Sequence, residues 1–121
     1  VTHVLTVDVR KPPMTLNEQR RAHWQQVRRA KAEAEQHIWV VAKAARLPRM
    51  KRAHVEVVWF APDKRRRDAD ALSPFLKATL DTLVRCEILE DDSYQYVPRV
   101  TLGIEHDRSR PRIEIIITDL T

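Results

Sequence analysis

The sequence predicts an α/β (α+β) domain in which two helices pack on a mixed four-stranded sheet, in the order β-α-β-α-β-β. Three observations carry that expectation. Four segments alternate apolar and polar residues with the two-residue period of a strand. Two segments between them place apolar residues at helical spacing behind recognisable helix starts. Proline pairs, proline-containing turns and an acid-rich stretch separate the six. At 121 residues, with no internal repeat and no linker-like composition, residues 1–121 read as one domain with a single modest core.

Residues 2–9 form the first strand, with Leu5, Val7 and Val9 on one face. Pro12 and Pro13 end it, because neither can donate to a ladder. Thr15 followed by Glu18 is a capping box, and a helix from about Leu16 to Ala45 follows, built of alanine, glutamine, glutamate, lysine and arginine. At 1.5 Å per residue it would run roughly 45 Å and cross the whole domain. Leu47-Pro48 stops it. Residues 54–60 are a second strand with Val55, Val57 and Trp59 on one face, closed by Ala61-Pro62. Ser73 as N-cap and Pro74 at the first helical position start a helix that runs to about Arg85, with Leu72, Leu76, Thr79, Leu80 and Leu83 as its inner stripe. An acidic loop at 89–93 precedes two alternating segments, 97–105 and 112–118, whose short connection "HDRSRP" suggests a hairpin.

Composition excludes several classes. Hydrophobic residues at 43% and charged residues at 32% describe a globular chain rather than a disordered one. No apolar run approaches the roughly 20 residues that span a bilayer, and "VTHVLTVDVR" has no basic and apolar leader regions, so the expected compartment is cytoplasmic, without membrane association. Cys86 is the only cysteine, which leaves no intrachain disulfide and no zinc cluster; it is expected to pack as a small hydrophobe. A net charge of +5 points toward a polyanion, and the basic residues cluster at 18–31, 46–52, 63–67 and 107–112. One glycine in the chain rules out a glycine-rich phosphate loop or a dinucleotide fingerprint, and no small-molecule cofactor is expected. Phosphate binding would fall to side chains and a metal ion.

The stretch "DKRRRDADALSPFLKATLDTL", residues 63–83, concentrates the chemistry. A hard cation such as Mg²⁺ takes carboxylate oxygens and keeps waters and substrate phosphate as its remaining ligands. Asp68 and Asp70 would face one side if the backbone between them is extended. Asp91 and Asp92 offer a further carboxylate from a separate loop, and Lys77 lies just inside the second helix, within reach of a scissile phosphate or leaving oxygen. Such a set suits phosphodiester hydrolysis. The bland alternative is a loop whose charges pair locally, each pair worth about 0–1 kcal/mol, with Lys77 bonded to Asp81 one turn on. Trp24, Trp39 and Trp59 read as core or interface anchors rather than base-stacking platforms, and Phe75 as a core residue at a helix start.

"RRRDADALSPFLKATLDTLV…EILEDD" resembles the RusA-type Holliday junction resolvases, which carry a basic run, D-x-D-N-L, a helix lysine, D-x-L and a D-D pair before a strand. The likeness is strongest over 58–100 and extends to "LNEQRRAHW" and the last two strands. It implies a small homodimeric endonuclease that uses Mg²⁺ (or Mn²⁺) to nick branched DNA, the four-way junction, on two opposing strands. Its aspartates fall on Asp68, Asp70 and Asp92, with Asp91 a helper or structural neighbour, and its lysine falls on Lys77. Lys64, Arg65, Arg66 and Arg67 would track the DNA backbone, joined by Arg20, Arg21, His23 and Arg28 of the first helix. Two departures stand out. Ala71 replaces the asparagine after the second aspartate, which could hydrogen-bond a ligand carboxylate, so metal affinity or activity is expected to be lower. Cys86-Glu87 replaces a glycine-containing turn, a change expected to reshape only that loop. Two rival expectations are a DNA- or RNA-binding module without catalysis, and a subunit buried in a larger nucleic-acid assembly.

Overall fold

The computed structural model describes residues 1–121 and has the expected mixed four-stranded sheet. Its elements are β1 (Thr2–Val7), α1 (Leu16–Arg21), α2 (Trp24–Ala45), β2 (Ala53–Ala61), α3 (Ser73–Arg85), β3 (Arg99–His106) and β4 (Arg112–Asp119). The strand order is β1-β4-β2-β3. Because β4 is antiparallel to both β1 and β2, and β2 is parallel to β3, the strands β1, β2 and β3 all run the same way, with β4 inserted against them. The carboxyl ends of those three strands therefore share one edge of the sheet.

The alternation of each strand sends one face into the core. Leu5 and Val7, then Val55, Val57 and Trp59, then Ile113, Ile115 and Ile117 are buried there, with Leu102 and Ile104 of the edge strand packed alongside. On α2 the buried residues are Ala34, Ile38 and Ala42, spaced four apart on one stripe. On α3 they are Phe75, Ala78, Thr79, Leu80, Thr82 and Leu83. Burying a side chain the size of Ile38 contributes about 1.5–3 kcal/mol. The two buried threonines are satisfied within the helix, Thr79 Oγ1 donating to the Phe75 carbonyl and Thr82 Oγ1 to that of Ala78, each at 2.8 Å. No helix is long and apolar enough to cross a membrane.

Four local expectations are corrected. The long first helix is two helices: Ala22 and His23 are extended (ψ 152° and 147°), and His23 caps α2 by accepting the Gln25 N–H on Nδ1 at 3.1 Å. Nothing between Arg21 and Trp24 breaks a helix by composition; the break lets α1 turn toward the β2–α3 loop while α2 packs on α3 and β1. The expected hairpin is absent, because β3 and β4 are not neighbours. Residues 107–111 instead step over the end of β2, a distance of about two strand spacings, or roughly 10 Å, which five residues span easily. Ser73 is the first residue of α3 rather than its cap; the cap position is Leu72, and Ser73 Oγ donates to the Asp70 carbonyl at 2.8 Å. Val9 lies past the end of β1, still packed against the core.

A chain with one glycine must place other residues in left-handed backbone. Arg46 (φ 50°) closes α2 and Glu87 (φ 62°) closes α3. At the second of these, Ile88 N–H reaches the Leu83 carbonyl at 3.0 Å, the long bond that wraps the end of a helix around a left-handed residue.

Candidate active site

The loop that leaves β2 is built from its arginine outward. The Arg67 guanidinium lies 4.6 Å over the Trp59 ring, its Nη2 donates to Asp63 Oδ1 at 2.8 Å, and its Nη1 donates to the Asp63 and Arg65 carbonyls. Trp59 is itself fixed, its indole N–H donating to the Arg10 carbonyl at 3.1 Å. Arg67 thus holds the loop together, with 17% of its side chain exposed. Arg65 sits 3.6 Å from Asp63, and a backbone N–H bond to Asp63 with the Arg67 hydrogen bond holds the Asp63 carboxyl below its usual range. Lys64 and Arg66 are exposed and have no ion-pair partner.

Beyond Arg67 the chain turns instead of extending. The Ala71 N–H donates to the Asp68 carbonyl at 3.1 Å and the Ser73 N–H to that of Asp70 at 3.0 Å. The extended geometry that would have pointed both aspartates one way is not adopted, because the chain must reverse from the strand edge into α3. Asp70 is exposed, with no hydrogen bond to its carboxylate. Asp68 accepts from Asn17 Nδ2 at 2.8 Å, and next to that contact the Leu16 N–H donates to the Ala71 carbonyl at 3.1 Å. Ala71 is packed, at 7% exposure.

A second cluster lies along α3. Lys77 Nζ is 2.9 Å from Asp92 Oδ2 and 3.2 Å from Asp81 Oδ1, and Lys31 of α2 bonds the other Asp81 oxygen at 2.8 Å. Hydrogen bonds to Asp92, then Asp81, push the Lys77 ammonium above its ordinary value. Burial pushes Asp81 upward, but the bonds from Lys31 and Lys77 outweigh it and its carboxyl is lowered. Asp91 is exposed, and the Ser93 hydroxyl beside it holds its carboxyl below the usual range. Lys77 therefore meets both its local partner at the next turn and the aspartate fifteen residues on.

No family model matches the chain, and no curated protein matches it.

A divalent cation, implied by the resemblance, can be tested against this geometry. The donor chemistry suits it, since Asp68, Asp70, Asp91 and Asp92 all offer hard oxygens. Their placement does not. No three His, Cys, Asp or Glu side chains converge closely enough to hold an ion, Asp68 being turned to Asn17 and Asp92 to Lys77. The arrangement is two bonded pairs, not a cage.

Of the other residues expected to meet DNA, Arg21 and Arg28 are exposed on the corner where α1 meets α2. Arg20 reaches Asn17 Oδ1 at 3.4 Å, and His23 is committed to its cap. Trp24 is not a core residue: it is 58% exposed, with the Arg28 guanidinium 5.7 Å from its ring centre. Two participants escaped the sequence reading. Asn17 carried a faint signal, an asparagine among strong helix formers. Lys31 carried none, since its partner lies fifty residues away.

Proposed function

We propose that the chain is a RusA-type, structure-selective DNA endonuclease that resolves four-way junctions as a homodimer in the presence of Mg²⁺ or Mn²⁺. The observation that supports this best is the 2.9 Å pair of Lys77 and Asp92, two residues singled out by one signature and brought together from a helix and a separate loop. The site's place agrees with it. The D-x-D turn leaves the carboxyl end of β2, beside α1 which follows β1, at the edge where open α/β sheets commonly place ligands.

The chain's own groups divide the work. Lys64 and Arg66 project unpaired from the β2–α3 loop and Arg21 and Arg28 from the α1–α2 corner, so the backbone phosphates of a duplex arm meet positive charge on both. Lys77, its ammonium raised by two carboxylates, stays protonated at neutral pH; it offsets charge on a phosphate and does not act as a base. Asp68, Asp70 and Asp92 offer carboxylate oxygens from two loops and, as placed, do not meet at one centre. Two symmetric cuts call for two related sites, which is the reason for a homodimer.

The test is cleavage of a synthetic four-way junction with Mg²⁺ and with EDTA, by the native chain and by Asp70→Asn. Metal-dependent paired nicks that the substitution abolishes, with junction binding retained, support the proposal. No cutting with any divalent ion sinks it. A second reading, a nucleic-acid-binding module without catalysis, is favoured by the missing three-carboxylate cluster, and is what a chain that binds junctions and never cuts them would be.

A further inference from the structure

We propose that Asn17 is a positioning residue for Asp68, through which α1 sets the orientation of a carboxylate on the β2–α3 loop. Its catalytic consequence rests on the endonuclease reading; the orientation itself rests on geometry alone.

Asn17 and Asp68 come from segments fifty-one residues apart and meet at 2.8 Å on the surface. Neither buries apolar area there, so the contact is not a by-product of core packing. The amide is held at both ends: Oδ1 accepts from Arg20 Nη1 at 3.4 Å while Nδ2 donates to Asp68 Oδ2. Turning the amide over would set its NH₂ against a guanidinium and its oxygen against a carboxylate, so the orientation is determined. The helix that carries Asn17 is fixed as well. Thr15 and Glu18 complete both bonds of the capping box, and the neighbouring Leu16 N–H holds the Ala71 carbonyl. Consecutive residues of α1 thus staple the D-x-D turn at positions 71 and 68. One staple is backbone and shapes the turn; the other ends on a carboxylate oxygen.

The residue type is informative. An amide fixes the plane of a carboxylate without neutralising it, which a lysine or arginine at 17 would do. Only Oδ2 is engaged, and Oδ1 of Asp68 has no protein partner. Ala71, with only a methyl group, can offer no such bond. In this chain the hydrogen bond comes from across the fold.

The experiment uses the full chain with three readouts. Side-chain three-bond couplings measured on isotopically labelled protein report the Asp68 χ1 angle. The native chain is expected to show one rotamer, and Asn17→Ala an average over rotamers. In junction cleavage, Asn17→Ala is expected to lower kcat about 10- to 100-fold, the usual loss when a bond behind a functional ligand is removed, with KM for the junction within about 2-fold. Asn17→Asp, of equal size but with no donor, should lose at least as much. Thermal unfolding midpoints of native and Asn17→Ala should agree within about 2 °C. Rotamer averaging in the native chain overturns the inference whether or not the protein cuts. So does an unchanged kcat in Asn17→Ala, or a loss of kcat matched by a fallen unfolding midpoint. If the native chain cuts no junction, the endonuclease reading fails and the rotamer measurement alone decides on Asn17.

Discussion

Two loops leave the same edge of the sheet, both carrying aspartate and arginine, and they treat their charges differently. The β3–β4 loop uses all of its acid internally. Asp107 accepts from the N–H groups of Ser109 and Arg110, from the Ser109 hydroxyl, and from Arg112 Nη1 at 2.8 Å. Arg112 in turn bonds Glu114 at 2.9 Å and lies 3.9 Å over the Phe60 ring. The β2–α3 loop begins the same way, with Asp63 and Arg67 knotted over Trp59, and then stops: Lys64, Arg66 and Asp70 have no charged partner. In the first loop the one acid is fully bonded, Arg110 sits 3.8 Å from Asp8, and Arg108 alone is exposed without a partner. The second leaves out of its knot the residues that a phosphate would need.

Exchanging charge for its neutral isostere in the two loops gives the sharpest contrast. Asp70→Asn is expected to lower junction cleavage at least 1000-fold with binding unchanged, whereas Asp107→Asn should cut at the native rate; equal effects would erase the distinction between the loops. Acid should reveal the reverse. Hydrogen bonds from Arg112, Ser109 and Arg110 lower the Asp107 carboxyl to about 2 from 3.8. The unfolded chain therefore binds this proton first as pH falls, and the stability it contributes is complete above about pH 4 and is lost on the way down to about pH 2. Denaturant titrations at pH 4 and pH 2 should show a steeper loss for the native chain than for Asp107→Asn.

Within the second loop, neighbouring arginines should separate. Arg66→Ala is expected to weaken junction binding and reduce the salt slope of log K by about 1, with stability unchanged. Arg67→Ala should leave the slope alone and cost about 1–2 kcal/mol of stability through the lost stack on Trp59, read by urea unfolding. The smallest effect lies outside both loops. Glu87→Gly relieves a left-handed residue worth about 1–2 kcal/mol of strain but gains unfolded-state entropy, for a net stabilisation of about 0.5–1 kcal/mol and a midpoint higher by about 2–5 °C.

What was legible in the sequence was what is decided locally. The Thr15–Glu18 cap, the core alternation of β2 and the extent of α3 all depend on residues within a turn or a strand, and they are where their patterns put them. The break at Ala22-His23 was hidden because no residue there is a poor helix former; docking of α1 on the D-x-D turn outweighs propensity. The β3–β4 hairpin failed for a related reason. A short connection suggests adjacency, but pairing with β1 and β2 covers both edges of β4, which β3 alone could not. In the candidate site, the residue types at 68, 70, 77 and 92 were readable, while the turn that keeps the first two from pointing one way was not.

The position of β4 also has a consequence for how the chain comes off the ribosome. β1 and β2 share no hydrogen bonds; each is paired with β4, which is the last strand made. Until residues 112–119 emerge, β2 pairs with β3 alone and β1 has no strand partner, with α2 the element that packs on it. α1 is made with β1, before the D-x-D turn, and its bonds to Asp68 and Ala71 draw on α2 and α3 rather than on β4. Closure of the sheet is thereby postponed until β4 has joined β1 to β2, so a nascent chain carries both the charged loop and the helix that orders it before it carries a complete core.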